Sequence, residues 1–190
     1  MPPSSATDQT GPYAQRERQI IALAIVAIAL HIIESALPSP IPGVKPGLAN
    51  IITLLAWQCL GLRAALLITT LRIIVSSLLL GSLFGPGFWL AAAGASAALV
   101  ALGALSAVPD RRLGLIGRST AMAIAHISAQ LALVSAWLLP GTPLWSLWPV
   151  LGGAALLTGV TTGLLAARLL RTTGCKSDAT SSASHDIPRS

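Results

Sequence analysis

Residues 34–50 read ESALPSPIPGVKPGLAN. The stretch gathers an acid (Glu34), four prolines (Pro38, Pro40, Pro42, Pro46), Lys45 and Asn50 between two apolar blocks. Each proline fixes φ and removes a backbone donor. The stretch therefore predicts a stiff polar hairpin, and the blocks beside it decide the fold. They are continuous runs of Leu, Ala, Ile and Val. Membrane-barrel strands would alternate polar and apolar positions instead.

Composition points the same way. Hydrophobic residues make up 54% of the 190-residue chain and charged ones 9%, against about 25% charged in soluble domains. So few polar side chains do not cover a globule in water. Six apolar blocks follow one another, at 20–37, 47–60, 64–83, 88–108, 120–139 and 150–170. A spanning helix needs about 20 residues, which every block but the second provides. The expectation is an all-α integral membrane protein with a bundle of about six transmembrane helices. Its domain covers 20–170, between disordered cytoplasmic tails at 1–19 and 171–190. Arg16 and Arg18 ahead of the first block raise a signal peptide, but a cut after Ala36 would place Glu34 at the usually small −3 position. The block is read as a retained helix.

The net charge of +6 does not form a nucleic-acid patch, because the basic residues stand at block ends. With both termini in the cytoplasm, ten of the twelve Lys and Arg lie inside, Lys45 lies outside and Arg72 lies within the membrane. The positive-inside tendency selects this orientation, in the cytoplasmic (inner) membrane. Trp145 and Trp148 then sit at the outer interface. Small residues recur at i+4 along the sixth block (Ala155, Gly159, Gly163, Ala167) and the fourth (Ala93, Ala97, Ala101, with Gly94 and Ala98). Such tracks serve either packing inside a bundle or docking to a separate membrane subunit.

An ionisable group at mid-bilayer costs about 2.5–3.5 kcal/mol on insertion scales, so each one needs a partner or a polar cavity. His31, Glu34, Arg72, His126 and Gln130 interrupt the blocks. Counted at about 1.5 Å per residue, these residues and Asn50 fall at depths that let them converge on one outward-facing cavity. Glu34 with Arg72 reads as a helix-joining ion pair, or as a site in which Arg72 meets an anionic group and Glu34 a donor. His31 stands three residues before Glu34 and reads as its hydrogen-bond partner or as part of the site. Lys45 is a loop lysine or a clamp on a ligand acid. Asn50 caps or cross-links helices, or binds. His126 with Gln130 reads most simply as an interhelical hydrogen bond. The predicted binding set is His31, Glu34, Lys45, Asn50 and Arg72, with only Trp57 and the outer tryptophans as nearby aromatics.

Self-contained catalysis is not indicated. Polyprenyl synthases hold Mg²⁺-diphosphate on aspartate-rich clusters, whereas Asp8, Asp110, Asp178 and Asp186 stand alone here. No P-loop, GxSxG or HExxH motif occurs, the three histidines lack metal-ligand spacing, and Cys59 and Cys175 form no CxxC pair. The expectation is no catalytic residue, no metal and no cofactor.

KPGLAN at 45–50 running into IITLL, and RAALLITTLRIIVSSLLLGSLFGPGF at 63–88, resemble the membrane family labelled heptaprenyl diphosphate synthase component I, also called the Gx transporter family. The resemblance covers roughly residues 20–170. That family is similar to the substrate-binding S components of energy-coupling-factor transporters. The likeness implies a small-molecule or vitamin-type importer subunit, gated by its first loop and driven by a membrane coupling protein with ATPases. The alternative that the family label implies is a non-catalytic membrane component associated with polyprenyl diphosphate synthesis, partnered by a soluble synthase subunit. S components often carry an AxxxA docking pattern on the first helix; Ala22, Ala24, Ala27 and Ala29 here include no i+4 pair.

Overall fold

A computed structural model describes residues 11–36, 48–109, 112–141 and 143–173. Among them the chain forms six α-helices and no strand. These are α1 (Pro12–Ala36), α2 (Leu48–Leu60), α3 (Leu62–Leu79), α4 (Pro86–Ser106), α5 (Leu115–Leu133) and α6 (Trp148–Thr173). A π-helical turn (Val134–Leu138) and a 3₁₀ turn (Leu144–Leu147) lie between α5 and α6. Helices α1, α2 and α3 pack together, as do α4, α5 and α6, and α2 against α6 and α3 against α4 join the two groups.

Helix α2 holds the middle. Its 13 residues reach roughly 20 Å at 1.5 Å per residue, short of the ~30 Å hydrocarbon layer. Yet every residue from Ile51 to Ala56 is buried. A helix that is apolar all round belongs in a core, and α2 gains by packing what it lacks in length. Thr53 Oγ1 and Thr69 Oγ1, 3.0 Å apart, tie it to α3. Gly61 takes φ +85°, a conformation glycine adopts without a Cβ penalty, so α3 starts after a one-residue turn.

Close backbone approach joins the other helices. A Cβ on Gly159 would lie 2.7 Å from Thr120 Cα, and one on Gly163 would lie 2.7 Å from Ile116 Cα. The small-residue track of α6 is thus used inside the bundle, against α5. Ala24 and Ala27 of α1 are likewise buried in the core, three residues apart rather than four.

Five helical stretches are long and apolar enough to cross a membrane, and α2 is the shorter sixth. Their outer faces expose Ile25, Leu67, Leu78, Val100 and Leu157, while Arg72 and Arg118 are buried. In water this would be inverted; in lipid it is the expected arrangement. The chain is an all-α, multi-pass membrane bundle.

Helix α1 begins at Pro12, inside the span that the sequence reading leaves as a tail. The polar residues 15–18 end the apolar block but not the helix. Arg16 Nη2 donates to Leu60 O at 2.9 Å, a carbonyl in the last turn of α2, where helices have none of their own donors left. Arg118 Nη2 donates to Val108 O at 2.6 Å, and its guanidinium lies over the Trp57 ring at 4.8 Å. One end of the bundle therefore gathers the start of α1, the ends of α2 and α4, and the start of α5. It is the basic end of the bundle, the one that the charge rule expects to face the cytoplasm.

Candidate functional site

Toward the opposite end, the helices enclose a cavity of about 430 Å³. Its polar wall is His31 and Glu34 from α1, Asn50 from α2, Arg72 from α3, and His126 and Gln130 from α5. Four of the five predicted binding residues thus share one wall. The fifth, Lys45, lies outside the described residues, as do all four prolines of the first loop.

Local helix geometry sets each side chain. Three residues separate His31 from Glu34, which puts both on one face of α1. The Ser35 hydroxyl donates to the His31 carbonyl at 2.8 Å and leaves that face clear. Asn50 lies in the first turn of α2, where backbone N–H groups have no partners within the helix and the dipole is positive. The broken span thereby brings a helix N-terminus into the bundle, the arrangement in which transporter folds meet anionic groups.

Arg72 is 4% exposed and Glu34 3%, and the carboxylate acts electrostatically on the guanidinium. Ser76 bonds back to the Arg72 carbonyl, so the hydroxyl nearest along α3 is turned to the backbone. Arg72 Nε has no hydrogen-bond partner among the described residues, and a buried donor left unmade costs about 1–3 kcal/mol.

His126 is seated by a glycine. A Cβ on Gly94 would come within 2.6–2.8 Å of three atoms of the His126 ring, so the ring rests on the bare backbone of α4. It makes a hydrogen bond to the Gly94 backbone, while Nδ1 has no partner among the described residues. With Nε2 donating to the carbonyl, the neutral ring offers Nδ1 as an acceptor. Arg72 and His31 both lie within electrostatic range of this ring. Gln130 Nε2 donates to Leu90 O at 3.3 Å and bridges α5 to α4. The sequence reading gives His126 and Gln130 an interhelical hydrogen bond; they make interhelical bonds to the backbone of α4 and also line the cavity. Their i, i+4 spacing on an otherwise apolar helix is the signal that marks them.

Trp57, expected near the site, stands instead at the basic end of the bundle against Arg118. Seven residues separate it from Asn50, about 10 Å along α2, enough to move it from the cavity to the opposite end. Chemically, the wall offers one guanidinium, one carboxylate, two imidazoles, two carboxamides and the hydroxyls of Ser35, Ser77, Ser82 and Thr158. It suits binding of a molecule with acceptor and donor groups. Among the described residues it has no second carboxylate with which to hold a Mg²⁺-diphosphate.

Residues 23–169 match the family model described as heptaprenyl diphosphate synthase component I. No curated protein and no solved structure matches the chain.

Proposed function

The chain belongs to the heptaprenyl diphosphate synthase component I family, and from that premise we propose that it is a non-catalytic membrane component serving polyprenyl diphosphate synthesis. It resides in the cytoplasmic membrane and holds a small ligand in the cavity, for or with a soluble synthase subunit that supplies the metal-carboxylate chemistry. One observation carries the ligand-holding part: Arg72 is buried at the cavity wall, opposite the Glu34 charge, with Nε unpartnered. The division of labour rests on the isolated acids of this chain, which offer no Mg²⁺-diphosphate cluster.

A second reading has its own support. The cavity lies away from the basic end of the bundle, beside the N-terminus of a short helix, as in proteins that capture solutes from outside. On that reading the chain is the substrate-binding subunit of a small-molecule importer, with His31, Glu34, Lys45, Asn50 and Arg72 contacting the solute and partner ATPases driving it.

The experiment is mass spectrometry of the full chain purified in detergent, wild type against Arg72→Gln, followed by prenyl-chain elongation assays with and without a soluble synthase subunit. A small molecule retained by wild type and lost in Arg72→Gln is the expected result. Elongation that rises at least severalfold with wild type, but not with Arg72→Gln, selects the synthesis role. Uptake that depends on Arg72 and on ATPase partners, with no effect on elongation, selects the importer. Full ligand retention by Arg72→Gln overturns the ligand-holding role of that residue in either reading.

A further inference from the structure

A second cavity adjoins the polar one at Gln130. Leu90, Ile127 and Gln130 also form one wall of this second cavity, of about 270 Å³. Its remaining walls are apolar: Leu131, Val134, Leu144, Leu147, Val150 and Leu151. This annex exists because the chain departs from α-helix after Leu133. Residues Val134–Leu138 wind as a π-helix, and Leu139 leaves helical space altogether (φ −135°, ψ 61°). The 3₁₀ turn Leu144–Leu147 then folds back. Single π turns inside helices are rare and cluster at functional sites. Here the π turn sets apolar side chains beside a charged chamber rather than closing it.

We infer that the site takes an acidic amphiphile, with its acid head at Arg72 and the N-terminus of α2, and its hydrocarbon part across Gln130 in the annex. The inference rests on the ligand-holding reading above and names the class of ligand. Three observations carry it. The head chamber presents an unpartnered donor, Arg72 Nε, and an unpartnered acceptor, His126 Nδ1, which together match an acid group that keeps one proton. Glu34 faces the same chamber and disfavours a second negative charge on the head. The two chambers adjoin at Leu90, Ile127 and Gln130, and only Gln130 contributes a polar side chain to both. Gln130 Nε2 is held by Leu90 O, which ties its amide to α4.

The test uses the full chain in lipid nanodiscs, with empty discs as the partition control. The probes are inorganic phosphate, octyl phosphate and octanol, and a phosphatidic acid arm separates a lipid headgroup from a free solute. Octyl phosphate should bind at least tenfold tighter than inorganic phosphate, and octanol should not bind above the empty discs. Leu147→Trp fills the annex and should remove the octyl advantage while leaving inorganic phosphate unchanged. Leu151→Trp is the second filling variant should the first fail to fold. Arg72→Gln should weaken both phosphates. Phosphatidic acid that displaces octyl phosphate identifies a lipid as the source; no displacement leaves a free solute. Equal, Arg72-dependent binding of octyl and inorganic phosphate overturns the amphiphile and leaves an acid-binding cavity. A co-purified ligand with no phosphate binding overturns the acid head alone, and the absence of both removes the parent reading as well.

Discussion

Arg118 and Arg72 are buried almost equally, 3% and 4% exposed, yet they serve opposite ends of the bundle in different ways. Arg118 bonds a backbone carbonyl at the end of α4 and covers the ring of Trp57. Its partners lie on α2 and just past the end of α4, so it joins both to α5 at the basic end of the bundle. Arg72 lies beside a cavity and faces a carboxylate. Burial alone therefore does not separate a structural arginine from a binding one; what the guanidinium touches does. If the contrast is real, the two residues respond differently to substitution.

The largest effect on stability is expected at the basic end. Arg118→Ala removes a hydrogen bond to a charged donor, worth about 1.5–3 kcal/mol, and a cation–π contact of about 0.5–2 kcal/mol. A net loss of about 2–4 kcal/mol should appear as a lower unfolding temperature in detergent, with ligand retention per folded molecule unchanged. Arg118→Lys should recover only part, because an ammonium does not stack flat on indole while reaching the same carbonyl. An unchanged unfolding temperature would remove the structural half of the comparison.

Gly94→Ala comes next, at about 1–3 kcal/mol, the range for forcing extra volume into packed surroundings. The new methyl meets the far end of a side chain, the His126 ring, so the ring yields before the backbone does. The displaced ring should enter the chamber and reduce ligand retention at least severalfold. Retained binding with lowered stability would place His126 with Arg118, among the groups that only hold helices together.

Much of this arrangement is visible in the amino-acid order. Long apolar runs fix five of the helices, because a spanning segment needs length and apolarity and little else. Depth counting brings His31, Glu34, Asn50 and Arg72 to one level, since helical rise is nearly constant. What depth does not supply is azimuth or register between helices. The Gly94–His126 seat and the Arg118–Trp57 stack join residues 32 and 61 positions apart, and neither has a local signature. The π turn is equally silent, because Val134–Leu138 is apolar in either winding. The start of α1 at Pro12 depends on a distant carbonyl, at Leu60, that its own polar residues do not announce.

That carbonyl supplies a smaller effect. Arg16→Ala deletes one bond to Leu60 O at a part-buried site and should cost about 0.5–1.5 kcal/mol. Hydrogen exchange of residues 12–19 should rise while the rest of α1 stays protected. Equal protection in the variant would mean that the first two turns are held by something other than the end of α2.

The smallest change in stability is expected from the most drastic charge removal, the double variant Glu34→Leu with Arg72→Leu. Taking two charges out of water costs several kcal/mol per ion, and their mutual attraction returns that only with good geometry and every hydrogen bond made. Arg72 Nε is not satisfied among the described residues, so the pair begins with a deficit. Leucines at both positions leave no uncompensated charge, and in lipid they fit the surroundings better. The double variant should therefore unfold at the wild-type temperature or above it, and should retain no ligand. Each single variant keeps one of the two opposed charges buried and should be less stable than the double variant. A double variant as unstable as Arg118→Ala would show that Arg72, too, is chiefly a brace between helices, and the distinction between the two arginines would fail at its most sensitive point.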